Sequence, residues 1–192
     1  QLDYAAEIAQ IRASGADALY IFLPGGMGIN FIKQYSQSGM LKRTPLFAPG
    51  FSGDEDVVKA VGPAMEGTFN TSHWYREMDN PVNQRFVADF QKDFGRLPTL
   101  YASQGYDAAM LMDAAVKAVG GKIEDKAAFG KALATVKAPS TRGEYRFGNN
   151  HYPIQAYYLR EVVKNADGSV SNKFVSKVMD EHVDAYAKDC KM

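Results

Sequence analysis

The chain has 192 residues, of which 46% are apolar and 23% charged, a composition that supports a packed core and is not that of a disordered segment. Its 22 Lys and Arg balance 22 Asp and Glu, so it lacks the basic excess expected of a general nucleic-acid binder. A single cysteine, Cys190, and three scattered histidines exclude an internal disulfide framework and a thiolate zinc site, and they argue against a histidine-rich metal cluster.

The length fits one large domain or two small ones. The longest apolar stretch, Ala18 to Pro24, falls far short of the roughly 20 residues that cross a bilayer. No secretory leader is visible: Gln1-Leu2-Asp3-Tyr4 opens directly into a helical pattern, and a chain that starts without Met reads as a processed or truncated product.

In chain order, Tyr4, Ile8 and Ile11 recur at helical spacing, with Gly15 as the C-terminal cap. The continuous apolar run Ala18–Leu23 predicts a strand buried on both faces of a parallel sheet. Pro24-Gly25-Gly26-Met27-Gly28 breaks it, and Ile29, Ile32 and Tyr35 define a helix ending at Gly39. A second strand, Pro45–Ala48, leads into the loop Pro49–Gly53. A short helix carrying Val57, Val58 and Val61 stops at Gly62-Pro63, and Glu66–Thr71 predicts a third strand. This βαβαβ run predicts a doubly wound α/β fold on a parallel sheet.

The middle third is helical. Asn80-Pro81 pairs an N-cap with a proline at the first helical position, and Val82, Phe86, Phe90 and Phe94 share one face up to Gly95. A second helix spans about Tyr101 to Val119, with Ala108, Leu111, Met112, Ala115 and Val119 as its apolar face. A third covers about Lys126 to Val136, with Phe129, Leu133 and Val136 inward, and no strand separates the three. Strands return at Glu144–Phe147, Ile154–Lys164 and Phe174–Met179, with Asn165-Ala166-Asp167-Gly168 as a hairpin turn.

Pro24, Gly25, Gly26 and Met27 are the first site candidates. In open α/β sheets ligands sit at the carboxyl ends of strands, and small residues before a helix N-terminus let an anion approach the backbone. The competing reading is an ordinary tight turn. The third glycine of a dinucleotide fingerprint is missing, and so is the Gly-Lys-Ser/Thr of a phosphate loop. Gly50 and Phe51 in the next loop lie at the same sheet edge, where Phe51 is either a ligand-stacking ring or a core filler. Asp107 stands one turn from Ser103, but no histidine is near in sequence to complete a nucleophilic set. Glu55/Asp56 and Asp180/Glu181 read as solvated acidic pairs, and His73, His151 and His182 as structural or exposed. Asn70-Thr71-Ser72 matches a glycosylation acceptor, a pattern common by chance.

Several segments resemble a known family. Asp17–Phe22, Phe31-Ile32-Lys33-Gln34 and Glu66-Gly67 entering a strand resemble type I periplasmic solute-binding proteins, the Leu/Ile/Val-binding branch that serves ABC importers. Asp79-Asn80-Pro81, Pro98–Ala109, Asn150–Gln155, Tyr158–Val163 and Asp184–Met192 are similar to a proteobacterial subgroup, several members of which are associated with aromatic acids. The resemblance implies a two-lobed α/β fold, here incomplete, with ligand held between the lobes. Residues 1–70 would be part of the second lobe, 71–142 helices returning to the first, and 143–192 crossing strands and tail. The middle helices would then pack on a sheet supplied by an absent N-terminal half or a partner chain.

The resemblance further implies a periplasmic, non-enzymatic carrier with no cofactor, whose partners are a small ligand and an ABC permease. Pro24–Met27, Gly50 and Phe51 would contact the ligand, and Tyr101 would supply an aromatic wall. Amino-acid binders of the family carry an acidic residue where this chain has Gly50, so an aromatic carboxylate is expected rather than an α-amino acid. Branched-chain amino-acid binding and the ligand-sensing ectodomain of a receptor remain as alternatives. Missing phosphate-loop chemistry argues against a nucleotide-dependent enzyme on the same fold.

Overall fold

A computed structural model describes residues 3–191. The opening Gln1-Leu2, read above as entering the first helix, and the final Met192 lie outside the described residues. The chain divides into two compact units. One comprises the residues up to Tyr75 together with Tyr158–Lys177. The other comprises Arg76–Tyr157 together with the residues from Val178 onward.

The first unit is built on alternating helix and strand. Helix α1 (Ala5–Ser14) ends on Gly15 at φ 67°, a left-handed conformation that glycine adopts without strain. Strand β1 (Leu19–Tyr20), helix α2 (Gly25–Gln37), strand β2 (Leu46–Pro49), helix α3 (Glu55–Val61) and strand β3 (Phe69–Ser72) follow. The three strands pair in parallel, with Leu19 opposite Leu46 and Phe47 opposite Phe69. Strand β5 (Pro153–Lys164) joins β3 antiparallel, with Asn70 opposite Arg160, and strand β6 (Val170–His182) pairs with β5. The sheet is thus mixed on its β5 side, while its parallel part has the α/β topology expected from the sequence. Ile8, Phe31, Ile32, Tyr35, Leu46 and Val58 are among the buried residues of one continuous core.

Strand β1 departs from expectation. It is two residues long and is not buried on both faces: Tyr20 is 62% and Phe22 69% exposed, while Ile21 is buried. The reason is position, since β1 ends the strand order and has one paired neighbour among the described residues. The segment read as a loop, Gly25–Gly28, is instead the first turn of α2. The Pro49–Gly53 loop contains a short 3-10 turn, Gly50–Gly53.

The second unit holds α4 (Pro81–Phe94), α5 (Leu100–Ala118), α6 (Lys126–Thr135) and strand β4 (Arg146–Phe147), which pairs antiparallel with the start of β5. The predicted Asn80 cap is present: its Oδ1 accepts from the Val82 and Asn83 amides at 2.9 and 3.0 Å, and its Nδ2 donates to the Ser140 and Thr141 carbonyls. Two helix faces are corrected. On α4, Phe86 is buried as expected, but Phe94 is 65% exposed and Asn83 is buried as well. In α5, Ala108 and Met112 are exposed, and the inward positions are Leu100, Ser103, Asp107 and Ala115. Ala115 lies on the expected stripe, while the polar cluster around Asp107 brings Ser103 and Asp107 inward beside it.

Candidate ligand-binding site

The first unit brings the two candidate loops together. Pro24 precedes α2 in extended conformation, with no side-chain cap and no acidic residue in the first turn. The leading N–H groups of a helix have no intrahelical partner, and the helix dipole makes that end favourable for an anion. Pro24, Gly25, Gly26 and Met27 are all exposed there. Gly25 has φ 54°, a value that side chains disfavour, and a Cβ on Gly26 would meet nothing within 4 Å. Gly28 differs: a Cβ there would lie 2.4 Å from the Leu23 carbonyl oxygen, so its bare backbone lets α2 start tight against the chain leaving β1.

The second loop is fastened to the first. Buried Ser52 donates its hydroxyl to the Leu23 carbonyl at 2.9 Å. The rings of Phe22 and Phe51 meet edge to face, with centroids 5.0 Å apart. Neither Phe22 nor Ser52 stands out in the sequence. The available signal for Phe22 was its place at the carboxyl end of a strand, one residue before Leu23-Pro24. Gly50 is buried, and a Cβ on it would stand 2.8 Å from the Thr71 carbonyl oxygen and 3.3 Å from Ser72 Cβ. Position 50 therefore offers backbone only.

Tyr101 belongs to the second unit, where it is 56% exposed in the first turn of α5. About two turns into that helix, buried Asp107 is an acceptor for one neighbouring segment. It accepts hydrogen bonds from Ser140 Oγ at 2.7 Å, the Thr141 amide at 2.8 Å, Thr141 Oγ1 at 3.1 Å and Arg142 Nε at 2.8 Å. Arg142 also donates to Gln155 Oε1 at 2.6 Å and lies over the Tyr145 ring, 4.1 Å from its centroid. Burial pushes the Tyr145 phenol up, against the pull of that guanidinium.

The hydroxyls of Tyr152 and Tyr157 lie 3.4 Å apart. This contact, with burial second, pushes the Tyr152 phenol up from 10.0 to about 12. A raised phenol favours the folded state while it is protonated, so the contribution is complete below pH 10 and is lost as pH rises from 10 to about 12. Phenolate absorbance should show Tyr152 ionising near the top of that window, and Tyr157→Phe should bring it back toward 10.

Other candidates resolve as structure. Glu55, expected to be solvated, has its Oε1 accepting from Asn172 Nδ2 at 3.0 Å, whereas Asp56 is exposed. Glu181 pairs with Arg146 at the surface. Asn70 is 1% exposed, so its side chain is closed to glycosylation in the folded chain. His151 sits exposed in a turn at φ 56°, and His182 packs edge-on against Tyr157. Among the described residues there is no group of three or more potential metal ligands, and no helix long and apolar enough to cross a membrane.

Known proteins are similar to this chain in sequence and fold. The chain is 34% identical to a solute-binding protein of an ABC transporter from R. palustris, solved in complex with benzoate. Their TM-score is 0.88, over 100% of this chain and 51% of that one. A second R. palustris solute-binding protein, in complex with 4-hydroxybenzoate, is 29% identical with a TM-score of 0.82, over 95% and 50%. A Leu/Ile/Val-binding protein homolog of Brucella melitensis is 32% identical over 176 residues, which are 89% of this chain and 45% of the relative. The chain thus spans about half the length of the curated relatives it matches. The periplasmic binding protein family matches residues 1–168, and the chain belongs to that family.

Proposed function

We propose that the full-length protein is a periplasmic carrier that captures a small aromatic carboxylate and delivers it to an ABC permease, without catalysis of its own. The observation that carries this reading is Gly50. A side chain there would collide with β3, so the loop provides no carboxylate at that position to pair a ligand ammonium, and an unpaired buried ammonium is costly. Beside it, the Phe22–Phe51 pair offers apolar ring surface, and the open N-terminus of α2 at Gly25 and Gly26 can receive a carboxylate. The benzoate and 4-hydroxybenzoate complexes of the R. palustris proteins support the same ligand class.

The second reading is a branched-chain amino acid, favoured by the Leu/Ile/Val-binding relatives. A thermal-shift screen of the full-length protein against benzoates, cinnamates and branched-chain amino acids separates the two. At a ligand concentration a hundredfold above Kd, binding adds about 2.7 kcal/mol and raises Tm by several degrees. Stabilisation by benzoates or cinnamates is expected. Stabilisation by leucine and by no aromatic acid would overturn the aromatic reading.

A further inference from the structure

Behind the second loop, three strands converge on one backbone carbonyl through a buried polar cluster. Asn70 on β3 and Arg160 on β5 are each 1% exposed, and Asn172 on β6 is 4% exposed. Arg160 Nε donates to Asn70 Oδ1 at 2.8 Å, and Asn70 Nδ2 donates to Asn172 Oδ1 at 2.8 Å. Asn172 Nδ2 then donates to the Gly53 carbonyl at 2.7 Å and to Glu55 Oε1 at 3.0 Å.

The direction of this chain is dictated by chemistry. A guanidinium only donates, so the Asn70 oxygen must face Arg160 and its NH2 must face Asn172. That turns the Asn172 oxygen toward Asn70 and its NH2 toward Gly53. The loop is fitted to the cluster as well, since a Cβ on Gly53 would stand 2.4 Å from Asn70 Cγ. Burying polar groups is costly unless they are hydrogen-bonded, and the cluster uses that bonding to hold the Gly53 carbonyl in place.

We propose that Asn172 is a positioning residue for the second ligand loop. From β6 it fixes the Gly53 carbonyl and so sets where Gly50 and Phe51 stand toward the ligand, with Asn70 and Arg160 orienting its amide. This rests on the reading of that loop as a ligand contact.

The test is hydrogen exchange and aromatic-acid affinity in the full-length protein, comparing the wild type with Asn172→Ala, Asn70→Asp and Lys173→Ala. Asn172→Ala should speed exchange at residues 51–55 about tenfold, as expected where a buried hydrogen bond is lost locally. Exchange in β2 and β3 should stay within about twofold of wild type if the effect remains local. Benzoate affinity should fall about tenfold, the scale of one lost buried hydrogen bond. Asn70→Asp keeps an acceptor for Arg160, adds a negative charge beside that guanidinium, and replaces the donor to Asn172 with a second acceptor. It should reproduce the loop signature, and it decides the question if the alanine variant fails to fold. Lys173→Ala, an exposed neighbour on the same strand, should change nothing. Unchanged exchange at 51–55, or equal acceleration throughout β1–β3, would overturn the proposal. Absence of aromatic-acid binding by the wild type would instead sink the ligand reading, while the exchange pattern still decides the positioning role.

Discussion

Asp107→Ala is expected to destabilise the protein by about 3–5 kcal/mol, the range seen when one partner of a buried ion pair is removed. Asp107 is 2% exposed and accepts four hydrogen bonds from three consecutive residues, Ser140, Thr141 and Arg142. Without it, the Arg142 guanidinium, itself 11% exposed, keeps only Gln155 and the Tyr145 ring beside it. The Thr141 amide also loses its acceptor, and leaving a buried group unsatisfied, about 1–3 kcal/mol, forms part of that loss. Asp107→Asn should fall between wild type and alanine, because it keeps one acceptor oxygen and turns an NH2 toward groups that donate. Urea denaturation checks the order. A loss below about 1 kcal/mol for alanine would mean that the carboxylate does not hold this segment, since each hydrogen bond to a charged group is worth about that or more.

Asp107 also shows which parts of the fold were legible in the sequence. Signals written in neighbouring residues read correctly: the Asn80-Pro81 start, the left-handed Gly15 and Gly95 that close α1 and α4, and the parallel strands between the first helices. Misreadings arose where a distant segment decides the outcome. In α5, Ala115 of the predicted stripe is buried but Ala108 and Met112 give way to Ser103 and Asp107, because the partners that make burial of Asp107 tolerable lie at least 33 residues away. The β1 run looked buried on both faces because composition does not reveal which strand ends a sheet. The candidate loops were legible as glycine-rich punctuation after strands. What fastens them was not, since Ser52 meets Leu23 across 29 residues and Asn172 meets Gly53 across 119.

Alanine at Gly28 and at Gly26 should have opposite consequences, although the two residues share one helical turn. At Gly28 the new methyl would press on the Leu23 carbonyl oxygen at 2.4 Å, an obstacle of backbone that cannot swing aside. Forced overpacking of this kind costs about 1–3 kcal/mol, and here it would push the start of α2 away from the end of β1. At Gly26 nothing lies within 4 Å of the added methyl. The change instead removes backbone freedom from the unfolded chain and improves helix propensity, a gain of about 0.4–1 kcal/mol. If the α2 amides receive the ligand carboxylate, the same methyl stands where the ligand must approach. Gly26→Ala should therefore raise the urea midpoint while weakening benzoate binding, and Gly28→Ala should lower the midpoint. Binding by Gly26→Ala as tight as wild type would place the carboxylate elsewhere, whereas a raised midpoint in Gly28→Ala would contradict the close approach of α2 to β1.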